Sequence, residues 1–230
     1  MANTPAPSRS LLFLLVALTA LGEVSTQLMI PGLGAIEQAL AAPAGSALMA
    51  LSAFVAAFGL GQLFFGPLSD RIGRRPVLIG GLALYVVATL AMLLVSDIQQ
   101  FIAARVLQGL GACAALVLAR TVVRDVWKAE AGPALALTMI GMLYAIVVAP
   151  MVGGVLIRFF GWHAPIILAL MIGSVVLLLA LLFFRESNHH LDPNAGHWRT
   201  LGGQYLDLLK IANTARTPWR WPVPTARCSR

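Results

Sequence analysis

Charge is what this chain has least of. Only 11% of its 230 residues are Asp, Glu, Lys or Arg, against 59% hydrophobic, and its mean hydropathy is +0.86. A soluble domain carries about 25% charged residues, so this composition excludes one and implies a polytopic membrane protein. Cysteine is nearly absent. Cys113 lies in an apolar run and Cys228 near the end, a spacing that implies neither disulfide nor metal site. The histidines form no ligand pattern. His189, His190 and His197 fall in a polar stretch that reads as a solvated linker rather than a zinc site. A P-loop is missing, so ATP is not expected to act directly. The net charge of +7 does not imply nucleic acid, because the basic residues lie between apolar runs and in the tail rather than on one face.

What is present is a series of uncharged or nearly uncharged runs long enough to cross a bilayer as helices. They are Leu11–Ile30, Ala47–Phe65, Val77–Val95, Phe101–Ala119, Ala134–Ile157 and Ile166–Phe184. A basic head at residues 1–10 followed by Leu11–Leu21 could imitate a secretory signal. The run continues to Ile30 and further spans follow, so it reads as the first span. With the amino terminus inside, the cytoplasmic segments to residue 185 hold Arg9, Arg71, Arg74, Arg75, Arg120, Arg124, Lys128 and Arg185. The outer loops hold only Arg158. Positive charge concentrates in cytoplasmic loops, so both ends of the six-span block are expected inside.

The strongest local signal joins the second and third runs. It reads Gly66-Pro67-Leu68-Ser69-Asp70-Arg71-Ile72-Gly73-Arg74-Arg75-Pro76. Gly66 and Gly73 suit a tight turn, and Pro67 and Pro76 are expected to end and restart helix. Asp70 is expected to pair among three arginines. The plain alternative is an ordinary loop with topogenic arginines.

Three further features could carry chemistry. Glu23 lies 12 residues into the first span, about 18 Å from Leu11 at about 1.5 Å per residue. A carboxylate near mid-bilayer is expensive and should face a cavity or a partner. It is either a group that binds and releases a proton or a neutral, hydrogen-bonded structural glutamate. Gln27 is one turn on, on the same face, and Ser25 and Thr26 add hydroxyls. Arg105 is only four residues past Phe101, so it either snorkels to the interface or serves function with Gln108. Pro150, Gly153 and Gly154 predict a break or bend in the fifth span.

The island resembles the signature loop G-x-L-x-D-R-x-G-R-R of the major facilitator superfamily, with every defined position filled. Arg105-Val106-Leu107-Gln108-Gly109 resembles that family's fourth-span motif. Ala149-Pro150-Met151-Val152-Gly153-Gly154 resembles the fifth-span G-P-x-x-G-G of its antiporter branch, with alanine for the first glycine. Residues 8–210 as a whole are similar to the amino-terminal half of a drug:proton antiporter of the Bcr/CflA group. One departure is Gln27, where relatives commonly have an acid.

The resemblance implies an all-α integral membrane fold, with six transmembrane helices as two inverted three-helix repeats. It implies a transporter and not an enzyme, energised by a proton gradient without organic cofactor or metal, in a bacterial-type inner membrane. A membrane enzyme would need a cluster of His, Asp or Cys in the spans. Glu23 and Arg105 would couple protons, and Glu23, Gln27 and Gln108 would line the substrate cavity. Gly66, Asp70, Arg71, Gly73, Arg74 and Arg75 would latch the cytoplasmic face. The partners implied are a small drug, membrane lipid, and a missing carboxy-terminal half or a second copy. A non-transporting membrane chain and a half-transporter active only as an oligomer stay open beside that reading.

After residue 184 the composition changes. Residues 185–210 read as a cytoplasmic linker with a short amphipathic segment at Leu201–Leu209. Residues 211–230 are basic and rich in proline and tryptophan. Each arginine at a helix centre opposes insertion by roughly 2.5–3.5 kcal/mol, so this is not a span. The mixture suits a GC-rich frame read out of register, and a frameshift near Asn213–Thr217 is expected.

Overall fold

The computed structural model describes residues 9–128, 131–184 and 186. The amphipathic segment, the tail and the frameshift expectation lie outside them. Among the described residues every regular element is a helix. Helix α1 spans Arg9–Gln27, followed by a 3-10 turn at Ile30–Gly32 and short α2, Leu33–Ala39. Then come α3 (Ser46–Ile72), α4 (Arg74–Ala91), α5 (Ile98–Trp127), α6 (Ala131–Phe160) and α7 (His163–Phe183). Among the described residues six helical segments are long and apolar enough to cross a membrane, the first running from Ser10 to Ala39 through α1, the turn and α2.

The expected spans are all present, but their ends differ. Helices α3, α5 and α6 run on past the apolar zone, whereas α1 and α4 stop at Gln27 and Ala91, short of the expected Ile30 and Val95. Helix α3 continues through Gly66, Pro67, Asp70 and Arg71, so Gly66 is no turn and Pro67 ends nothing. The turn is Gly73 alone, at φ +104 and ψ 155, a region open essentially to glycine only. The charged stretch Arg120–Asp125, expected as loop, is the last turns of α5. Pro150 lies inside an unbroken α6, so the expected interruption there is absent. Part of the first outer loop is α2. Its Glu37 accepts the Ala47 N–H at the start of α3 (3.0 Å), satisfying a donor that a helix end leaves free.

The packing follows an internal exchange symmetry. Helix α5 packs on α3 and α4, while α1 packs on α6 and α7. Helices α1 and α5 touch each other, and so do α4 and α7. Swapping α1, α3 and α4 for α5, α6 and α7 turns this set of pairs into itself. A repeat of three spans is odd in number, so the second copy enters the membrane inverted. Helix α5 is the centre, with 67% of its most apolar window buried, against 11% for α6.

Glycine sets the closest approaches. A Cβ on Gly109 would overlap the backbone of Phe54 in α3, and one on Gly153 would overlap the Leu28 carbonyl just past the end of α1. So the Pro150-Gly153-Gly154 motif serves close helix contact rather than a helix break. Between helices in lipid, such small-residue contacts are a main source of association.

Candidate functional site

Helix α1 presents two polar faces. Glu23 and Gln27 are one turn apart and half-buried. Ser25 lies about 200° round the helix from Glu23 and is buried, so the expected single polar patch is split in two. Glu23 has no hydrogen-bond or ion-pair partner among the described residues.

The Ser25 face meets a buried polar junction of α1, α3, α4 and α5. At its centre is Arg105, 1% exposed, which does not snorkel. Its Nη1 donates to Gln108 Oε1 at 2.7 Å and to the Ser25 carbonyl at 3.4 Å. Its guanidinium carbon lies 5.0 Å from the Phe54 ring centroid, a cation–π contact. Gln108 Nε2 donates to Thr89 Oγ1 at 2.8 Å, and Thr89 donates in turn to the Tyr85 carbonyl one turn back. The Tyr85 hydroxyl contacts Ser25 Oγ and lies 3.4 Å from the Ala169 carbonyl of α7. Ser25 also reaches the Leu21 carbonyl at 2.7 Å, so the two hydroxyls share two protons among one another and the Leu21 and Ala169 carbonyls.

Arg105 has no carboxylate within ion-pair distance among the described residues, and its Nε has no hydrogen-bond partner. Glu23 and Arg105 sit on corresponding helices of the two repeats, as expected, but they are not brought together. Gln108 was expected to line a cavity with Glu23 and Gln27. It is buried at 1% and spent on orienting Arg105. Both side chains are buried, which makes their order of removal informative. Gln108→Leu should lower stability by about 2 kcal/mol, because it strands a buried charged donor. Arg105→Met with Gln108→Leu should be less destabilised than Gln108→Leu alone, since no buried charge is left over. Thermal unfolding of the three proteins in one detergent checks this order.

At the other end of the bundle, the signature loop is drawn together by Arg74, which is 8% exposed. Its guanidinium donates to Ser69 Oγ and pairs with Asp70 in α3, and Nε reaches Asp125 of α5 at 3.3 Å. Arg71 and Arg75 have exposed side chains. Glu186, which the sequence did not single out, accepts the backbone N–H groups of Arg74 and Arg75, both at 2.9 Å. Among the described residues no three His, Cys, Asp or Glu side chains gather into a metal-binding group.

The loop geometry, the buried arginine and the six spans can be set beside known proteins. Residues 12–222 match the Major Facilitator Superfamily. The chain belongs to that superfamily. It is one of transporters rather than enzymes. The chain is 35% identical over 156 residues to "Multidrug resistance protein D" of Escherichia coli strain K12, covering 67% of this chain and 40% of that one. It is 36% identical over 146 residues to "Chloramphenicol resistance protein" of Pseudomonas aeruginosa, covering 63% and 35%. The resemblance to drug-resistance members read from the motifs is thus borne out. The chain spans less than half the length of these curated relatives. In fold it is similar to the human organic anion transporter MFSD10 (TETRAN), with a TM-score of 0.69 at 19% identity over 91% of this chain and 56% of that one.

Proposed function

We propose that the chain is the amino-terminal half of a proton-driven drug exporter. The observation that carries this reading is Glu23, a half-buried carboxylate in the last turns of α1 without a partner among the described residues, in a chain 35% identical to a multidrug resistance protein. A carboxylate held inside a membrane span is a functional group by default. In this reading protons from outside neutralise Glu23 and release a small amphiphilic drug outward, in the class of chloramphenicol or bicyclomycin. Gln27, on the same face of α1, lines the drug's path. Arg105, fixed by Gln108, Ser25 and Phe54, supplies positive potential that biases the exchange. The energy source is the proton gradient, without an organic cofactor.

The signature loop lies on the cytoplasmic side of a bacterial-type inner membrane, with the amino terminus on the same side, as the distribution of arginines implies. A carboxy-terminal half or a second copy of this chain closes the substrate path. The test is efflux in inverted vesicles, with drug and pH followed together across a panel containing chloramphenicol and bicyclomycin. Drug movement tied to proton movement is expected. Loss of the effect across the whole panel would instead favour a chain that inserts without transporting.

Asp70→Asn tests the loop. Arg74 keeps Asp125 and Ser69, so folding and topology should be unchanged. The Asp70 pair is half-exposed and worth about 1 kcal/mol at most, which is roughly fivefold in an equilibrium between two conformations. Export should fall by about that factor. Equal rates in variant and parent would reduce the loop to a plain connector.

A further inference from the structure

Helix α4 begins at the Gly73 turn, so the N–H groups of Arg74 and Arg75 have no partner within the helix. Glu186 takes both, Oε1 on Arg74 and Oε2 on Arg75. This carboxylate comes from just past the end of α7, where the chain leaves the sixth span. The return contact runs the other way. Arg75 Nη2 donates to the Leu181 carbonyl at 3.2 Å, in the last turn of α7, where carbonyls also lack helical partners. Each helix end therefore caps the other. The charges also have the favourable sense, a carboxylate at a helix start and a guanidinium at a helix end. Gly73 is part of the fit, because a Cβ there would press on the Glu186 carboxylate.

We infer that Glu186 is a positioning residue of the signature loop, clasping the exit of the sixth span to the start of the third. Through Arg74 the loop holds α5 at Asp125, and through Glu186 and Arg75 it holds α7. One loop thus gathers the ends of four spans, α3, α4, α5 and α7. A displacement of Glu186 is therefore felt by α4 as well as by α7, and through Arg74 by the Asp70–Arg74 pair. The clasp stands on this geometry, and its part in transport rests on the export reading above.

Amide hydrogen exchange on the whole chain in lipid nanodiscs tests it. In Glu186→Ala, exchange at the Arg74 and Arg75 amides should quicken about tenfold, because each loses a bond to a charged acceptor. Glu186→Asp should restore part of the protection. Arg75→Met should quicken exchange both at its own end and at Phe183 and Phe184, which a one-sided cap would not do. Unchanged exchange across Ala112–Leu118 in α5 shows that each variant is folded. Parent-like protection of Arg74 and Arg75 in folded Glu186→Ala would overturn the clasp. In the export assay, Glu186→Ala should lower the maximal rate and leave the half-saturating drug concentration unchanged. An unchanged maximal rate would overturn the positioning role. A parent that exports nothing would count against the export reading only, since exchange decides the clasp without transport.

Discussion

Glu23→Gln is expected to abolish proton-coupled export while leaving the amount of folded, inserted protein unchanged. The two halves of that expectation have separate physical grounds. Folding is spared because Glu23 has no hydrogen-bond or ion-pair partner among the described residues, so an amide of nearly equal shape breaks no internal contact. The neutral amide is also the easier group to hold inside a membrane. Transport is lost because an amide cannot bind or release a proton in the working pH range, and no other carboxylate lies along α1. The measurement is drug-driven pH change in inverted vesicles, beside fluorescence-detected size exclusion for folded yield. Retained proton coupling at parental yield would remove Glu23 from the mechanism.

Gly111→Val should have the largest effect on stability. A Cβ at this position would overlap the Tyr85 amide and the Gly81 carbonyl, both backbone atoms of α4. A side-chain tip can swing away from such an overlap, but a helix backbone cannot. Helix α4 would have to retreat from α5, taking Tyr85 from Ser25 and Thr89 from Gln108. Overpacking typically opposes folding by about 1–3 kcal/mol, and each lost hydrogen bond adds about 1. Together these give a loss of roughly 3–5 kcal/mol, a large part of a typical folding free energy of about 5–15 kcal/mol. Gly80→Val is the control, because its Cβ would meet open space on the outer side of the same helix. Similar thermal midpoints for the two variants would refute the argument.

The spans could be read from sequence because lipid demands long apolar runs and this chain supplies them without ambiguity. Their ends could not, because a charge marks the edge of the apolar zone and not the end of a helix. Asp70, Arg124 and Asp125 are all helical. The loop residues were legible as a motif, and Arg74 with Asp70 forms the expected pair. Arg105 was legible as a candidate but not as a buried one, since its distance from the helix start gives depth and not the face it occupies. Its surroundings were invisible for a different reason. Ser25, Phe54, Tyr85 and Thr89 come from three other helices, and only tertiary packing gathers them. A faint signal existed in Tyr85 and Thr89, two hydroxyls one turn apart in an otherwise apolar span. Glu186 gave none, because nothing local to it indicates which helix start it will reach.

The crossed arrangement of the two repeats has a consequence for biosynthesis. Ser25 must wait for partners that lie 60 and 80 residues later, at Tyr85 and Arg105, and Thr19 contacts the Thr138 carbonyl 119 residues on. At a synthesis rate of about 5–20 residues per second, 60–80 residues take roughly 3–16 s. During that interval the first span stands in or beside the translocon with a carboxylate and several hydroxyls and without Tyr85 or Arg105. Arg105 and, one turn later, Gln108 then enter the junction with Ser25, Phe54 and Thr89 already made. The order of emergence therefore lets the most expensive side chain arrive at a site prepared to receive it, and it leaves the first span as the stage most exposed to quality control.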